Sequence, residues 1–422
     1  MNIFWFRRDL RLEDNVALFK ATLEKEAVIP LFIFDVDIIE SLKKDDARIT
    51  FIYNTLKDID AELKKLNSSL LIKIGKPIEV WETLVSEYEI EKVFYNKDYE
   101  PYAISRDLEV TQFLNSRKIE VFSCKDQVIF EESEVVKDNG LPYNVFTPFK
   151  NKWLLKFKNI SLSDNTPLPN FHKFNASFPT IKSIGFVESE IKVMPYTFTY
   201  LEEYDSIRDF PFIDQTSYVS PYLRFGLISA RAMIKVALKT NATYLSELIW
   251  REFFMQILFH FPKVVTENFK SKYNQIEWRN NEEEFRKWCK GETGYPIVDA
   301  GMRQLNETGY MHNRVRMITA GFLCKHLLID WRWGEAYFAE KLLDYDLSAN
   351  NGNWQWASGT GCDSAPYFRI FNPSEQIKKF DKELKYINKW VKDLTEFSYP
   401  KPIVEHKLAR ERALNTYKTG LQ

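Results

Sequence analysis

The feature that most constrains this chain is the alternation of apolar runs with amphipathic segments over its first 125 residues. Strands are predicted at NIFWF, AVIPLFIF, SLLIKI, EKVFYN and KIEVFS. The segments between these runs carry apolar residues at helical spacing. Strands alternating with helices form a parallel sheet covered by helices. We therefore predict a Rossmann-like α/β domain at residues 1–130, although no GxGxxG follows the first strand to bind a dinucleotide.

The pattern changes twice along the rest of the chain. Residues 158–200 are rich in Ser, Asn, Pro and Lys and show no steady period, which is typical of a connector. Beyond residue 200, long segments such as SELIWREFFMQILFHF and HNRVRMITAGFLCKHLLI have helical periodicity. We therefore predict a long linker at residues 131–200 and an all-α domain at residues 201–422.

Composition excludes several classes of protein. A net charge of −1 gives no general basic surface, so any nucleic-acid contact must be local. None of the four cysteines forms a CxxC pair and the histidines lack metal-ligand spacing, so no metal site is indicated. No apolar run is long enough to span a bilayer. We expect a cytoplasmic monomer that does not associate with membranes.

One helical face combines charge with an indole. Glu247, Trp250, Arg251 and Phe254 fall within a narrow arc of a segment that is apolar nearly all round. Charges on such a face would be partly buried and would need partners. The alternative is a surface face with an ordinary ion pair.

A second mixed stripe lies in HNRVRMITAGFL, where Asn313, Arg316 and Met317 share a face. The residues Asp344 or Asp346 could pair with Arg316 in a structural salt bridge, and this does not exclude a ligand role.

The stretch DYDLSANNGNWQW at 344–356 adds acids and amides to the same region. Asp346 and Asn350 offer acceptors and donors suited to a flat heterocycle, and Gly352 permits a close approach to the backbone. The segment TSYVS at 216–220 could cradle a phosphate at a helix start, or could simply cap that helix.

These segments carry a resemblance to a known family. WFRRDLRLEDNVAL, ELIWREF, GETGYPIVDAGMRQL, MHNRVRMITAGFL and DYDLSANNGNWQW resemble the photolyase/cryptochrome family, and most of all its class I cyclobutane pyrimidine dimer photolyases. The resemblance implies an α/β domain joined to a helical domain that binds a bent FAD. It also implies light-driven electron transfer from reduced flavin to a pyrimidine dimer in DNA, which splits the dimer.

The resemblance also implies roles for individual residues. Asn350 would lie beside flavin N5, and Arg316 and Asp344 would form an ion pair near the ring. The positions that match the family's cofactor contacts are Tyr204, Thr216, Ser217, Tyr218, Val219, Ser220, Arg251, Asn313, Arg316, Asp344, Asp346 and Asn350. The positions that match its lesion contacts are Glu247, Trp250, Asn313, Arg314, Met317, Trp356 and Gln376. Trp278, Trp331 and Trp354 match its chain of electron-carrying tryptophans, which with Glu247 and Asn350 completes the expected catalytic set.

The chemistry of these residue types fits that expectation. A dimer stacks poorly, so its extrusion from a duplex costs only a few kcal/mol. Trp250 and Trp356 could flank it, because stacking on an aromatic ring returns roughly 1–3 kcal/mol per base. Glu247 would stabilise an anionic dimer only if the carboxyl group were protonated or hydrogen-bonded to it.

The chain also departs from the family's pattern. Tyr218 stands where relatives commonly have Arg, and Tyr244 stands where a Trp is often found. In the first domain, Tyr102 and Ala103 replace an Asn–Glu pair of folate-binding relatives. A second, antenna chromophore, whether folate or deazaflavin, therefore stays unassigned.

Three other functions would each need a feature that this sequence does not indicate. A photolyase for six-four photoproducts would need histidines where Asn313 and Met317 stand. A cryptochrome, which signals through a partner, would be expected to extend further past the shared region. A general flavin oxidoreductase would need a nicotinamide site, and no motif indicates one.

Overall fold

The computed structural model describes residues 1–163 and 165–421. It divides into two compact units. The first comprises Met1–Val135, Lys152–Tyr196 and Val219–Lys239. The second comprises Val136–Asn151, Thr197–Tyr218 and Thr240–Gln422.

A parallel sheet forms the centre of the first unit. Its strands are β1 Asn2–Phe6, β2 Val28–Asp35, β3 Leu71–Gly75, β4 Lys92–Asn96 and β5 Glu120–Cys124. They are ordered β3-β2-β1-β4-β5, and Ile3 of β1 pairs with both Ile29 and Val93. Each predicted strand is confirmed. Successive side chains of β1 enter opposite faces of the sheet, and both faces are covered, so every residue of β1 is buried.

Both units contain helices, which are numbered here in chain order. They are α1 Val16–Leu23, α2 Val36–Ile39, α3 Ala47–Lys65, α4 Pro77–Glu87, α5 Pro101–Ser116, α6 Phe146–Phe157, α7 Tyr204–Ile207, α8 Ser220–Arg224, α9 Ala230–Thr240, α10 Ala242–His260, α11 Glu282–Lys290, α12 Pro296–Thr308, α13 Asn313–Gly321, α14 Trp331–Lys341, α15 Leu347–Ser358, α16 Pro373–Phe380, α17 Lys385–Trp390 and α18 His406–Thr419. Short 3₁₀ turns at Pro262–Val265 and Ser271–Gln275 and a π-helical turn at Phe322–His326 complete the set for the described residues.

The predicted connector is only partly irregular. The helix α6 lies within it and was not predicted. Residues 158–163 and 165–200 contain no helix or strand beyond a single bridge from Phe171 to Val28.

The second unit is helical, as the sequence predicts. Its main core includes Trp288, Trp331 and Trp354, all at most 2 % exposed. The helix α15 packs against α10, α13 and α14 in this core. No helix in the described ranges is long and apolar enough to cross a membrane.

Candidate functional site

The charged face of α10 has the partner that its burial demands. Asn241 caps the helix by accepting the backbone N–H groups of Thr243 and Tyr244. Within the helix, Glu247 is half-buried and its Oε1 accepts a hydrogen bond from Arg208 at 2.6 Å. The predicted need for a partner is therefore confirmed, and that partner lies in a different segment of the chain. Arg251 is also half-buried on this helix.

Two tyrosine rings lie near this ion pair. Tyr204, the first residue of α7, lies edge-on to Tyr244, with ring centroids 5.0 Å apart. The guanidinium of Arg208 lies 5.2 Å from the Tyr204 ring centroid, and Ser217 and Tyr244 share a hydrogen bond of 3.2 Å. Burial, followed by the charge of Glu247, raises the pKa of Tyr204. The predicted cofactor residues Tyr204 and Ser217 thus both contact Tyr244, and Tyr204 also contacts Arg208, the partner of the predicted lesion residue Glu247.

The TSYVS segment is divided between the two units. Thr216, Ser217 and Tyr218 belong to the second unit, whereas Val219 and Ser220 belong to the first, where Ser220 begins α8. Tyr218 adopts a left-handed backbone with φ of 52°, which is unusual for a bulky residue.

The position of Tyr218 is fixed by its neighbours. Its hydroxyl donates to Asp214, and its ring lies edge-on to Tyr310 at 5.1 Å.

Trp250 packs against two aromatic rings. The ring of Phe146 stacks on it with a centroid separation of 3.6 Å and an interplanar angle of 9°. Phe254, one turn further along α10, lies at 5.3 Å and 28°. Trp250 remains only half-buried.

Helix α13 begins with a histidine cap. The Nδ1 of His312 accepts the backbone N–H of Arg314 at 3.2 Å. Arg314 donates to Asp209 at 2.5 Å and its Nη1 lies 3.9 Å from the sulfur of Met317. Two predicted lesion residues, Arg314 and Met317, are therefore in contact, while Asn313 is exposed at the helix start.

The ion pair predicted between Arg316 and Asp344 is confirmed. The guanidinium donates to both carboxylate oxygens, at 2.9 and 3.2 Å, and its Nε donates to the carbonyl of Met311. Asp344 is 9 % exposed and Arg316 is 27 % exposed. The pair therefore presents a fixed, partly buried positive group beside a fixed acceptor.

The start of α15 orients a second set of polar groups. Asp346 caps the helix by accepting the backbone N–H of Ala349 at 3.1 Å. The side-chain nitrogen of Asn350 donates to the backbone carbonyl of Glu335 at 3.1 Å and to its carboxylate at 2.8 Å. Burial raises the pKa of Glu335. Because the nitrogen of Asn350 is engaged twice, its carbonyl oxygen is the group left for a ligand.

Gly352 does permit a close approach, but the approaching group is a side chain. A methyl group at this position would lie 2.2 Å from Cδ1 of Phe254. The lack of a side chain therefore lets α10 and α15 cross closely.

The three predicted electron carriers share one core. Trp354 is 2 % exposed and lies edge-on to Phe338 at 4.9 Å. Trp331 is 1 % exposed and donates its indole N–H to Asn268 at 2.8 Å. Trp278 packs at the edge of this core and is half-buried. The three indoles therefore range from buried, at Trp331 and Trp354, to partly exposed, at Trp278.

The packing of α15 brings together helices that carry several of the predicted residues. It contacts α10, which carries Glu247 and Trp250, and α13, which carries Arg314 and Arg316. Two other predicted lesion residues, Trp356 on α15 and Gln376 on α16, are half-buried.

Sequence reasoning missed several residues of this site. Arg208, Phe146, Glu335 and His312 all contact predicted residues. Only His312 carried a usable signal, because a polar residue directly before a helical segment is a candidate cap.

The hydrogen-bond donors and acceptors of this site fit a flavin dinucleotide. A flavin ring system presents N–H and C=O groups in one plane, and the guanidinium of Arg316 and the carbonyl oxygen of Asn350 supply the complementary donor and acceptor. The hydroxyl groups of Thr216 and Ser217 add neutral hydrogen-bonding partners of the kind a phosphate accepts.

The first unit has a polar cluster near the point where its strand order reverses, between β1 and β4. Ligands of open α/β sheets bind outside the carboxyl ends of the strands at such a point. Asp35 ends β2, the neighbour of β1, and accepts at 2.7 Å the hydroxyl of Tyr102, which lies in α5 after β4. Arg106 lies 3.9 Å from the same carboxylate and 5.1 Å from the Trp5 ring centroid.

Comparisons with known proteins agree with this two-unit arrangement. The family model for DNA photolyase matches residues 2–172, and the model for the FAD binding domain of DNA photolyase matches residues 244–398. The chain is 34 % identical to the deoxyribodipyrimidine photo-lyase of Synechococcus sp., covering 97 % of this chain and 95 % of that one. It is 35 % identical to the enzyme of Escherichia coli, covering 99 % and 98 %.

Among solved structures, an archaeal photolyase from Sulfolobus tokodaii with two FAD molecules superimposes with a TM-score of 0.87. It is 34 % identical, and the match covers 99 % of this chain and 100 % of that chain. The matched family models and the full-length identity lead to one conclusion: the chain belongs to the DNA photolyase family and carries its FAD-binding domain.

Proposed function

We propose that this chain is a deoxyribodipyrimidine photo-lyase, which uses light to split cyclobutane pyrimidine dimers in DNA. The names of its full-length relatives support this activity. We further propose that it works as a monomer in the cytoplasm. The four free cysteines are consistent with a reducing compartment.

The observation that carries the proposal is the packing of α15 against both α10 and α13. One helix thereby connects groups suited to a flavin, Arg316 and Asn350, with groups suited to a lesion, Glu247 and Trp250. An electron donor and an electron acceptor need such proximity, because they must exchange charge without a diffusing carrier.

Arg316, Asp344 and Asn350 would hold the flavin ring. When bound, FAD supplies light absorption and the transfer of one electron. The Arg316–Asp344 pair would orient the ring, and Asn350 would accept a ring N–H through its carbonyl oxygen. Glu335 would keep that amide from turning, because its backbone carbonyl and its carboxylate both accept hydrogen bonds from the amide nitrogen of Asn350.

Glu247, Trp250, Arg314 and Met317 would receive the extruded dimer. Trp250 and Met317 supply apolar surface, and Arg314 supplies positive charge near the DNA backbone. The Glu247 carboxylate would not face the dimer as an isolated negative charge, because it accepts a charge-assisted hydrogen bond from Arg208. The guanidinium would offset the repulsion between that carboxylate and an anionic dimer.

Trp354, Trp331 and Trp278 would deliver electrons to a flavin that has become oxidised. Support comes from their burial, since the indoles extend from a shielded position to a half-buried one within a single core. A carrier near the surface can be re-reduced by a solute, whereas a buried carrier is protected from side reactions.

The cluster of Asp35, Tyr102 and Arg106 would be the place for a second, antenna chromophore. Its position at the carboxyl ends of the strands supports this assignment. The photolyase from Sulfolobus tokodaii contains two FAD molecules, so a second FAD joins folate and deazaflavin as a candidate antenna chromophore.

Repair of a defined lesion tests the proposed function. The reduced, flavin-loaded protein is incubated with an oligonucleotide that carries one thymine dimer, in blue light and in darkness. We expect the dimer to disappear only in light. A dimer that persists in light, with flavin bound and reduced, would contradict the proposal.

A further inference from the structure

We propose that Phe146 is a positioning residue of the lesion pocket, which holds the indole of Trp250 in a fixed plane for an extruded pyrimidine. The inference rests on the proposed function, and it adds a residue from outside the helices that carry the other lesion contacts. It concerns recognition of the damaged base rather than electron transfer.

The geometry of the pair is the first argument. The two rings are nearly parallel, at 9°, with centroids only 3.6 Å apart. Aromatic pairs in proteins prefer offset or edge-to-face arrangements over such full overlap. The overlap is therefore imposed by the surroundings of Phe146 rather than chosen by the two rings.

Those surroundings fix Phe146 from several directions. It is the first residue of α6, and its backbone N–H donates to the carboxylate of Asp363 at 2.8 Å. Its ring meets the fully buried Phe253 edge-on at 5.8 Å, and the ammonium of Lys150 lies 5.8 Å from its centroid. Phe146 itself is only 6 % exposed.

The second argument is the difference in exposure between the two rings. Phe146 is buried and anchored, whereas Trp250 is only half-buried. A ligand can therefore use the exposed part of the indole while Phe146 stays in place. A ring that merely filled an empty pocket would have to leave it, and leaving would break its edge-on contact with Phe253 and expose an apolar surface.

An indole that is already held in one plane loses less freedom when a base stacks on it. Phe146 should thus favour binding of damaged DNA, where an extruded base meets Trp250, over binding of intact duplex. It should have little effect on the fate of a dimer once bound, because it does not reach the reacting atoms.

The test compares two substitutions in the flavin-loaded protein. Phe146→Leu keeps an apolar side chain but removes the ring, and Phe146→Tyr keeps the ring. Affinity is measured by fluorescence anisotropy for a labelled duplex with one thymine dimer and for the same duplex without it. Repair per absorbed photon is measured at saturating protein.

We expect Phe146→Leu to weaken binding of the dimer-containing duplex about three- to tenfold, which corresponds to the loss of one aromatic pair. Binding of the intact duplex, flavin content and repair of the bound dimer should stay as in the unmodified protein. Phe146→Tyr should restore the affinity.

Other results would overturn the inference. Tighter binding by Phe146→Leu would mean that the ring blocks the pocket, and equal weakening for both duplexes or a loss of flavin would mean a structural role. Unchanged affinity in Phe146→Leu, while Trp250→Ala abolishes the preference for damage, would contradict the inference alone. If the unmodified protein shows no preference for damage, the proposed function fails with it.

Discussion

Arg208 donates a 2.6 Å hydrogen bond to Glu247, and both side chains are partly shielded from solvent, with exposed fractions of 24 % and 34 %. A carboxylate in the proposed lesion pocket would repel an anionic dimer, so this guanidinium provides the compensating charge. The two residues lie in different segments of the chain, and their contact depends on the folding of α7 against α10.

The first prediction separates the two partners. We expect Arg208→Gln to lower the repair yield, because Glu247 would remain as an unpaired carboxylate. Glu247→Ala should also lower the repair yield, and more than it lowers flavin content, because Arg208 would lose the acceptor that holds its charge in the pocket. The double variant with Glu247→Gln should recover part of the yield lost in Arg208→Gln.

The yield per photon and the bound flavin are measured for the unmodified protein, for Arg208→Gln, Glu247→Ala and Glu247→Gln, and for the double variant. Simple addition of the effects of Arg208→Gln and Glu247→Gln would mean that the pair does not act as a unit. Equal losses of yield and flavin in Glu247→Ala would indicate a folding role.

The second prediction concerns the route of electrons to the flavin. Trp278→Phe should block light-driven reduction of the oxidised flavin, because phenylalanine is much harder to oxidise. Repair by chemically reduced protein should be nearly unchanged. Absorption spectroscopy during illumination gives the first quantity, and the dimer assay gives the second.

Trp333→Phe provides a matched control, since this tryptophan is also half-buried and packs against the same core. Loss of both activities in Trp278→Phe would mean that the electron route is assigned wrongly.

The third prediction concerns the crossing of α10 and α15. A Gly352→Ala side chain would lie 2.2 Å from Phe254, so we expect a loss of about 1–3 kcal/mol in the free energy of unfolding. Flavin content should fall as well, because the helix that carries Asn350 must move.

Gly321→Ala is the control, because its new methyl group would meet nothing closer than 3.9 Å. It lies inside α13 and should be neutral or slightly stabilising. Denaturant unfolding of the two variants checks the difference, and equal stability would show that the crossing tolerates a methyl group.

The fourth prediction concerns pH. Burial lowers the pKa of His312 from 6.5 to about 4, and the neutral ring accepts the backbone N–H of Arg314 at 3.2 Å. As pH falls, the unfolded chain takes up the proton first. The contribution of His312 to stability is therefore complete above about pH 6.5 and is lost as pH falls through about 4.

His312→Asn keeps an acceptor at the cap but cannot titrate. Between neutral pH and about pH 4, its free energy of unfolding should decline less than that of the unmodified protein. Denaturant unfolding at several pH values gives both curves, with His172→Asn as the control. Parallel curves for the two proteins would show that His312 does not titrate on unfolding.

The sequence predicts best what repeats along the chain. The sheet follows from strand-length apolar runs such as NIFWF and EKVFYN, because strands buried on both faces need continuous apolar sequence. The Arg316–Asp344 pair could be predicted because the guanidinium lies on an otherwise apolar helix and needs an acid nearby.

Contacts between distant segments could not be predicted in the same way. Phe146 stands in a stretch without clear periodicity, so nothing local indicates that it stacks on Trp250. Arg208 follows a single helical turn, and its partner is decided by the packing of that turn. The lack of a side chain at Gly352 predicts a close approach, but only the structure identifies the Phe254 ring as the group that approaches.

Helix α15 carries Asn350, Trp354 and Trp356 within two turns. At 3.6 residues per turn, the first two share a side and the third points elsewhere, so one helix would present the proposed flavin and electron-transfer groups on one side and the proposed lesion contact on another. Inserting a single residue between Asn350 and Trp356 would rotate one function by about 100° relative to the other. Natural variation in this enzyme should therefore preserve the length of this segment, even where it replaces side chains other than Asn350, Gly352, Trp354 and Trp356.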